Sequence, residues 1–392
     1  MFKLINKSFI AVLSLLMVCE SCTRNPYDPK ASAEFNLSTY SFWQITSVTA
    51  IHALSVAGSS SGVLGVAVMG DDGEISIFTD EDGLWQELGR TSSATSDNSP
   101  ILDIIHDTGR YWYVLVSDDE YGVRLYCTDG ATDNTSEIPP YDETPWEGEF
   151  GRLGSDSGGN LSAVLAGQQP VLCIKTGESW SHHVLPDTTG TQREVLSYLS
   201  DPLGRHHILY RDDRTLISKY QCFTSGEWLR YLNIVWSGDS RGARGGEPLE
   251  LSISESNNVR ALGFHLSRNV LLLWEEYSIQ KWEPEALPVA EDVLMDQYLS
   301  VTTTSDGIPH LVVAQYNGSS RYDLLWLSRD SSSWHVQPVV RGLYRIGQCN
   351  PVGLVDMVSV GTEPRLIFAE LSPDGGQIKI WEATPRQVAL LP

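Results

Sequence analysis

Basic residues are scarce in this chain of 392 residues: 27 Lys and Arg stand against 50 Asp and Glu, which gives a formal net charge of −23. A surface with this charge repels phosphate backbones, so the composition argues against nucleic-acid binding. It argues equally against docking on anionic lipid through a basic patch. Apolar residues make up 41% of the chain, which is enough for a packed core. The composition therefore indicates a folded, acidic protein.

Long apolar runs are also missing, and no stretch after the N-terminus approaches the length that a transmembrane helix needs. At the N-terminus, Lys3 and Lys7 precede or flank a short apolar stretch at Phe9–Val18, an arrangement typical of a signal peptide. That stretch is too short to span a bilayer. We therefore predict a signal peptide over residues 1–21 and no transmembrane helix in the mature chain.

Cys19 and Cys22 have the C-x-x-C spacing of redox sites, but the βαβ pattern of a thioredoxin is missing around them. Signal peptidases need a small side chain just before the cut. Cleavage before Cys19 would put β-branched Val18 there, whereas cleavage before Cys22 puts Ser21 there. The segment resembles a bacterial lipobox, which implies a lipid on Cys22. We predict an exported protein anchored to a bacterial membrane, the outer one; plain secretion after Ser21, to the periplasm or beyond, is the alternative.

The chain after Cys22 divides into a tether and one domain. Residues 23–40 are polar, with two prolines and no periodicity, which predicts a flexible tether over 22–37. From residue 38 onward, runs of roughly four to eight β-branched and aromatic residues alternate with Gly, Asp, Asn and Ser, and the helical pattern fails. This pattern predicts a single all-β domain over residues 38–392.

A tryptophan follows a polar turn and opens a short strand at regular intervals. These residues are Trp43, Trp85, Trp180, Trp228, Trp282 and Trp334. The intervals are roughly 42–54 residues, once doubled, and each holds four short strands, as in the blades of a β-propeller. The strand at 38–48 precedes the first of seven such units, and pairing with the last unit would remove exposed edges. We therefore predict seven four-stranded blades, with the ring closed by residues 38–48.

Two segments resemble the repeat of secreted bacterial propellers of the sialidase-like, BNR-type kind: DGIPHLVV, which begins at Asp306, and DPLGRHHI, which begins at Asp201. The resemblance covers nearly the whole mature chain and implies the propeller fold. Sialidase activity does not follow, because the chain has no Arg-Ile-Pro motif. The box-like segment at 372–381 also has Lys379 where that family has an aromatic residue. We expect the fold of the family without its catalytic motifs.

Histidines recur at equivalent places in the repeats. His207 and His310 enter the second strand of their units, and His265 lies in the same strand of its own unit. Residues that recur by blade lie far apart around a ring, so we predict structural roles for them and no metal site.

Cysteines also recur by repeat, since Cys127, Cys173 and Cys222 fall in the third strands of successive units. Such strands lie too far apart for a disulfide, so we interpret the three as thiols that fill core space. Export permits disulfides, and a pairing that involves Cys349 stays open.

The sequence contains no convincing catalytic set, phosphate-binding loop or cofactor motif. The acidic turns at 70–74 and 80–83 lack the D-x-D-x-D-G spacing of a calcium loop, and their Asp and Gly are typical turn residues. We therefore predict no catalytic residue, no metal and no cofactor.

The best candidates for a binding site lie in the long loops between units, at 139–151, 235–248 and 340–350. Aromatic side chains there could stack on a ligand, and arginines could bind an acidic group. The candidate residues are Tyr141, Trp146, Trp236, Arg241, Arg244, Tyr344 and Arg345. The opposing interpretation is that the aromatics pack the loops onto the domain.

These features predict a non-catalytic binding or scaffolding module that presents its inter-blade loops to a protein or other partner in the cell envelope, with a lipid on Cys22 as its membrane contact. The alternative is a carbohydrate-binding protein or a divergent glycosidase of sialidase-like fold. A glycosidase would need two carboxylates close together near the channel mouth.

Overall fold

A computed structural model shows the fold of the chain. The residues that it describes are 32–70, 72–92, 102–118, 122–141, 146, 151–156, 158–165, 170–186, 193–201, 203–212, 217–233, 247–253, 259–265, 270–278, 281–289, 299–317, 321–329, 333–344, 346 and 354–386.

Nearly all regular structure in these residues is β-strand. The strands of the first half are β1 (Glu34–Phe35), β2 (Tyr40–Val48), β3 (Ala53–Gly58), β4 (Leu64–Met69), β5 (Glu74–Thr79), β6 (Gln86–Ser92), β7 (Leu102–His106), β8 (Trp112–Asp118), β9 (Gly122–Thr128), β10 (Asp133–Glu137), β11 (Gly151–Ser155), β12 (Leu161–Leu165), β13 (Val171–Thr176) and β14 (Ser179–Val184). Those of the second half are β15 (Arg193–Ser200), β16 (His206–Asp212), β17 (Ile217–Thr224), β18 (Glu227–Asn233), β19 (Glu247–Ile253), β20 (Val259–His265), β21 (Val270–Ser278), β22 (Lys281–Ala286), β23 (Leu299–Thr303), β24 (Pro309–Tyr316), β25 (Arg321–Arg329), β26 (Trp334–Tyr344), β27 (Val355–Val360), β28 (Glu363–Leu371) and β29 (Ile378–Pro385). A 3₁₀ turn covers Glu81–Gly83.

Within the described residues these strands form seven antiparallel sheets. Sheets one to five each contain four consecutive strands, starting at β3, β7, β11, β15 and β19. Sheet six contains β23 to β26, and β1 adds a fifth strand at its outer edge. Sheet seven contains β27 to β29, and β2 supplies its fourth strand. The all-β prediction is therefore confirmed, with four strands as the basic unit.

The first strands of the sheets contact one another in chain order, from β3 to β7 and onward to β23 and β27, and β27 in turn contacts β3. Each sheet packs between two neighbouring sheets, so its second strand is buried on both faces. All six residues of β4 (LGVAVM) and all five of β12 (LSAVL) are buried. The fourth strands lie outside, as the fully exposed β10 (DNTSE) shows.

Strands from the two ends of the chain lie side by side. β2 pairs antiparallel with β29, and Trp43 stands opposite Glu382 in the register. The predicted tether over 22–37 is wrong at its C-terminal end, because β1 pairs with β26. The physical reason is Phe35, whose ring centroid lies 4.9 Å from that of Phe42 and 5.1 Å from that of Trp381.

The repeated tryptophans lie where the sequence places them, at the start of the fourth strands. Trp180, Trp228, Trp282 and Trp334 lie in β14, β18, β22 and β26, and Trp85 comes directly before β6. The turns that lead into two of these strands contain Gly177 and Gly226 with φ of 61° and 83°, a conformation that favours glycine. The polar turn and the tryptophan are thus one local unit that recurs from sheet to sheet.

Candidate functional site

A groove of about 690 Å³ runs along the boundary between sheet seven and sheet one. We call it the terminal groove, because strands from both ends of the chain, β2 and β29, line it. The aromatic and charged side chains in its wall are Trp43, Asp80, Trp85, Glu363, Arg365, Glu382 and Arg386. Ligand-binding pockets combine apolar and aromatic walls with a few polar or charged groups, and the terminal groove, which has both, is our candidate site.

Two tryptophans form the apolar part of the terminal groove. Trp43 lies on β2, the outermost strand of sheet seven, and is 45% exposed. Trp85 packs against the apolar cluster that sheets six, seven and one share. Its indole Nε1 donates a hydrogen bond to Oε2 of Glu382 at 2.9 Å. One indole is therefore exposed, and the other is held in place across the boundary.

A charged pair lies beside the tryptophans. Glu382 is only 3% exposed, and it accepts a hydrogen bond from Nη1 of Arg365 at 2.6 Å in addition to the one from Trp85. Nη2 of Arg365 donates to Oε2 of Glu363 at 3.1 Å. Nε of Arg365 is buried and finds no hydrogen-bond partner among the described residues. The pair thus brings charged donors and acceptors to one wall of the groove.

Asp80 forms another part of the wall, at the turn between β5 and β6. Its Oδ1 accepts a hydrogen bond from the backbone N–H of Leu64 at 2.5 Å. Burial raises the pKa of Asp80; the Leu64 bond opposes this rise, and the charge of Glu382 adds to it. Gly83 in the same turn has a φ of 73°. Asp80 therefore has the role in the turn that the sequence predicts. It also lines the groove, which the sequence does not indicate.

Trp146 is not the exposed stacking platform that the sequence predicts. It is 6% exposed and packs in the cluster between sheets two and three. Its Nε1 donates to the carbonyl oxygen of Ile138 at 3.0 Å, which fixes the loop to the sheet. Tyr141 is 37% exposed, and its ring centroid lies 6.1 Å from that of His182. The burial of Trp146 therefore corrects the prediction for that residue, whereas Tyr141 has an exposed ring as predicted.

Tyr344 lies at the end of β26, in a different sheet from Tyr141. The guanidinium of Arg321 lies 4.3 Å from its ring centroid, and Nη2 of Arg321 donates to its hydroxyl. A side chain of the protein itself therefore covers one face of this ring. The other predicted binding residues, Trp236, Arg241, Arg244 and Arg345, lie outside the described residues, as does Cys22.

Two of the recurring histidines, His207 and His310, have hydrogen-bond partners in their own sheets, and the side chain of His265 is outside the described part of the structure. His207 lies 2.6 Å from the hydroxyl of Tyr220 through Nδ1 and 3.2 Å from Oδ2 of Asp201 through Nε2. Nδ1 of His310 accepts a hydrogen bond from Nε1 of Trp326 at 3.2 Å. Both imidazoles are thus joined to neighbouring strands and turns of their own sheets.

The segment that begins at Asp201 serves a hairpin turn. Oδ1 of Asp201 accepts hydrogen bonds from the backbone N–H groups of Leu203 and Arg205, at 2.9 and 2.8 Å. Asp107 and Asp156 make the same pair of bonds in the corresponding turns of sheets two and three. This recurrence assigns the aspartates to turn formation.

Carboxyl groups on the first strands join some of the sheets to the next one. Oε2 of Glu250, in sheet five, accepts from the backbone N–H of Val301 in sheet six at 3.1 Å. Oδ2 of Asp356, in sheet seven, accepts from the N–H of Val56 in sheet one at 2.9 Å. The hydroxyl of Ser300 lies within hydrogen-bond distance of both carboxyl groups, at 2.9 and 3.1 Å.

The protonation of these two carboxyls follows from their surroundings. Burial raises the pKa of Asp356 to about 7, against the hydrogen bond from Val56. Burial also raises the pKa of Glu250 well above its ordinary value, and the charge of Asp356 adds to that rise. Since each carboxyl accepts a backbone hydrogen bond from the next sheet, the two carboxyls link neighbouring sheets.

Among the described residues, the cysteines of the third strands form no disulfide, and Cys173 and Cys222 are buried as the sequence predicts, whereas Cys127 is partly exposed. Cys349 lies outside the described residues. Within the described part of the chain, no group of three or more His, Cys, Asp or Glu side chains could hold a metal ion. No helix in that part is long and apolar enough to cross a membrane.

Neither a protein-family profile nor a curated protein sequence matches the chain. Solved structures are similar in fold. The structure of YCF48 bound to D1 peptide has a TM-score of 0.54 at 12% identity, over 92% of this chain and 100% of that chain. The fucose-specific lectin from Aleuria aurantia, described as a six-bladed β-propeller, has a TM-score of 0.50 at 14% identity, over 79% of this chain and 97% of that chain. The chain is therefore a β-propeller, and identities this low indicate the fold alone.

The residues of the terminal groove escape sequence analysis because they meet only in the folded chain. The hydrogen bond from Trp85 to Glu382 joins residues 297 positions apart. Trp43 and Trp85 stand out in the sequence only as members of the repeat. One signal does exist: Trp43 belongs to the N-terminal strand that precedes the first repeat unit in the sequence, so its surroundings differ from those of the other tryptophans.

Proposed function

We propose that the protein is a non-catalytic, seven-bladed β-propeller, closed by the pairing of β2 with β29, that binds a saccharide in the terminal groove. The observation that supports this most directly is the exposed indole of Trp43 beside the charged pair of Arg365 and Glu382. The C–H face of a sugar ring packs on an indole, and its hydroxyls bond to charged donors and acceptors. The groove volume of about 690 Å³ is in the range of small-molecule sites.

This proposal favours the carbohydrate alternative over a protein partner on the inter-blade loops. Among the seven loop residues that the sequence suggests, Trp146 is buried and Tyr344 carries Arg321 on its ring. The terminal groove, in contrast, presents an exposed aromatic face together with polar groups. Among the propellers of similar fold, one is a fucose-specific lectin and another has been solved with a peptide bound, so this fold serves both kinds of ligand.

The hydrogen bonds of Glu250 and Asp356, the carboxyls on the first strands, support the non-catalytic part of the proposal. Glu250 and Asp356 lie close together, as a glycosidase pair would, but each accepts a backbone hydrogen bond from the next sheet. A carboxyl that holds two sheets together is poorly placed to attack a glycosidic bond or to protonate it.

The test of the proposed function is a glycan array probed with the wild-type protein and with Trp43→Ala. We expect one group of saccharides to bind and the variant to lose at least about tenfold in affinity for it. Tyr316→Ala, which removes an aromatic ring that is 42% exposed on sheet six, is the matched control and keeps the affinity. If no saccharide binds the wild type, the proposal fails.

We also propose that residues 1–21 direct export and that Cys22 carries the lipid, which would hold the propeller at a bacterial outer membrane. A Cys22→Ala variant should appear in the soluble fraction, while the wild type sediments with membranes. Equal membrane association of both would contradict the anchor.

A further inference from the structure

The boundary between sheets five and six corresponds to the terminal groove. In sheet seven, Arg365 on the second strand pairs with Glu382 on the third. In sheet five, Arg260 on the second strand pairs with Glu275 on the third. Both sheets thus present an Arg–Glu ion pair from their second and third strands to the sheet that follows, although Arg260 stands directly opposite Glu275 and Arg365 is two residues from the position opposite Glu382.

The tryptophans that face these ion pairs also correspond. Trp85 stands before the fourth strand of sheet one, and Trp334 begins the fourth strand of sheet six. Each packs, partly buried, against the apolar cluster of its own boundary. The two boundaries are therefore two versions of one arrangement.

They differ in the residue that stands five positions before the tryptophan, which is Asp80 in sheet one and Arg329 in sheet six. Nη1 of Arg329 lies 3.2 Å from Oε2 of Glu275 and 3.1 Å from Oε2 of Glu285. Its guanidinium carbon lies 5.9 Å from the ring centroid of Trp334. At this boundary, a cation from the protein itself therefore occupies the space between the tryptophan and two carboxylates.

Among the residues that the structure describes, sheet one contributes no such cation to the lining of the terminal groove. Asp80 stands in the position of Arg329, and its Oδ1 is bonded to its own sheet through Leu64. Three carboxyl side chains line the groove, Asp80, Glu363 and Glu382, against the two arginines, Arg365 and Arg386. The lining of the terminal groove thus has one more carboxyl group than it has arginines, whereas at the other boundary Arg329 lies against two carboxylates.

We infer that the ligand of the terminal groove supplies the missing cation, and that it is an amino sugar whose ring packs on Trp43 and whose ammonium group lies between Asp80 and Glu363. This inference rests on the proposed function and adds the charge of the saccharide to it. An ammonium group there gains charge-assisted hydrogen bonds to the two carboxylates, as the guanidinium of Arg329 does to Glu275 and Glu285 at the other boundary. It also offsets the repulsion between Asp80 and Glu382, which contributes to the raised pKa of Asp80.

The test compares two trisaccharides with the same ring skeleton, chitotriose with free amines and its fully N-acetylated form. Isothermal titration is done at about pH 6, where an aliphatic amine is protonated. We expect the amine form to bind at least about tenfold more tightly, and added salt to reduce the difference because the contacts are charged.

Variants of the acidic turn test the position of the cation. Asp80→Arg introduces into sheet one the residue type of sheet six, and it should abolish binding of the amine form. Glu81→Arg makes the same change of charge at an exposed neighbour outside the groove lining and should keep the affinity within about twofold. Asp80→Asn preserves the size of the side chain and should weaken binding by about tenfold. Circular dichroism and thermal unfolding show whether each variant is folded.

Equal affinity for the two trisaccharides would overturn the inference and leave the proposed function intact. Binding of the amine form that survives both Asp80 variants would also overturn it, because the cation would then lie elsewhere. If neither trisaccharide binds and the glycan array is also negative, the proposed function fails with it. Binding of a lysine- or arginine-containing peptide in place of any saccharide would have the same consequence.

Discussion

At the boundary between sheets five and six, Arg329 lies between Trp334 and two carboxylates, whereas at the boundary between sheets seven and one the corresponding residue is Asp80 and a groove is open. The inner ends of the two boundaries are alike. Glu250 binds Val301 across the first boundary, and Asp356 binds Val56 across the second.

The difference shows how one repeated arrangement can serve either packing or binding. Glu250, Asp356 and the apolar clusters hold the sheets together at both boundaries. We therefore expect that the charge of the residue at position 80 or 329 can change without loss of the fold. A basic residue there completes the interface from within the chain. An acidic residue there leaves a groove, lined by the tryptophan and the ion pair, that a ligand can enter.

The largest expected difference between the boundaries concerns the two ion pairs. Arg365→Met leaves the buried carboxylate of Glu382 without its cation, which should cost about 3–5 kcal/mol of unfolding free energy in urea denaturation. Arg260→Met should cost only about 1–2 kcal/mol, because Glu275 is 34% exposed and still contacts Arg329. Equal losses would show that the two glutamates have similar surroundings.

A smaller effect on the unfolding free energy is expected from pH, through Asp356 on the first strand of sheet seven. Because the pKa of Asp356 is about 7, the folded protein holds a proton that the unfolded chain releases in mild acid. The stability is therefore full below about pH 4 and falls as the pH rises, by about 3 kcal/mol between about pH 5 and about pH 8. Asp356→Asn should reduce this dependence in urea unfolding, and the part that remains belongs to Glu250, whose pKa is also raised by burial. An unchanged slope in that variant would assign the pH dependence to other groups.

The next effect concerns the two tryptophans. Trp85→Phe removes the hydrogen bond to buried Glu382 and should cost about 1–2 kcal/mol, as measured by chemical denaturation. Nε1 of Trp334 is buried and has no hydrogen-bond partner among the described residues, so Trp334→Phe should cost less. A larger loss of unfolding free energy in the Trp334 variant than in the Trp85 variant would contradict this expectation.

The smallest effect on stability is expected at Arg329. Its ion pairs are partly exposed, so Arg329→Ala should change the unfolding free energy by less than about 1 kcal/mol. It should open the boundary between sheets five and six, and acrylamide quenching of tryptophan fluorescence should increase. A loss above about 2 kcal/mol would mean that Arg329 is essential to the interface, and the likeness to the terminal groove would then be superficial.

The sequence predicts those parts of the fold that depend on local signals. A polar turn followed by a tryptophan recurs at a regular interval, and this marks the fourth strands. The unmatched strand around Trp43 suggests the pairing with β29. The tether prediction fails at β1 because nothing near Phe35 shows that its ring packs against Phe42 and Trp381.

The site is less accessible to sequence analysis because its contacts are not local. Loop aromatics such as Trp146 look like binding residues in the sequence, since burial by a neighbouring sheet leaves no local mark. The partners in the groove, Trp85 and Glu382, come from opposite ends of the chain. The ion pair also follows no spacing rule, since the residue of β28 opposite Glu382 is Ile367 and not Arg365.

The most direct test of the comparison is a crystal structure of the protein with the free-amine chitotriose. The terminal groove should contain a sugar ring on the face of Trp43, with its ammonium nitrogen within hydrogen-bond distance of Asp80 or Glu363. The boundary between sheets five and six should be empty of sugar, because Arg329 fills it. A sugar bound at that boundary or on the inter-blade loops, with the terminal groove vacant, would contradict the account.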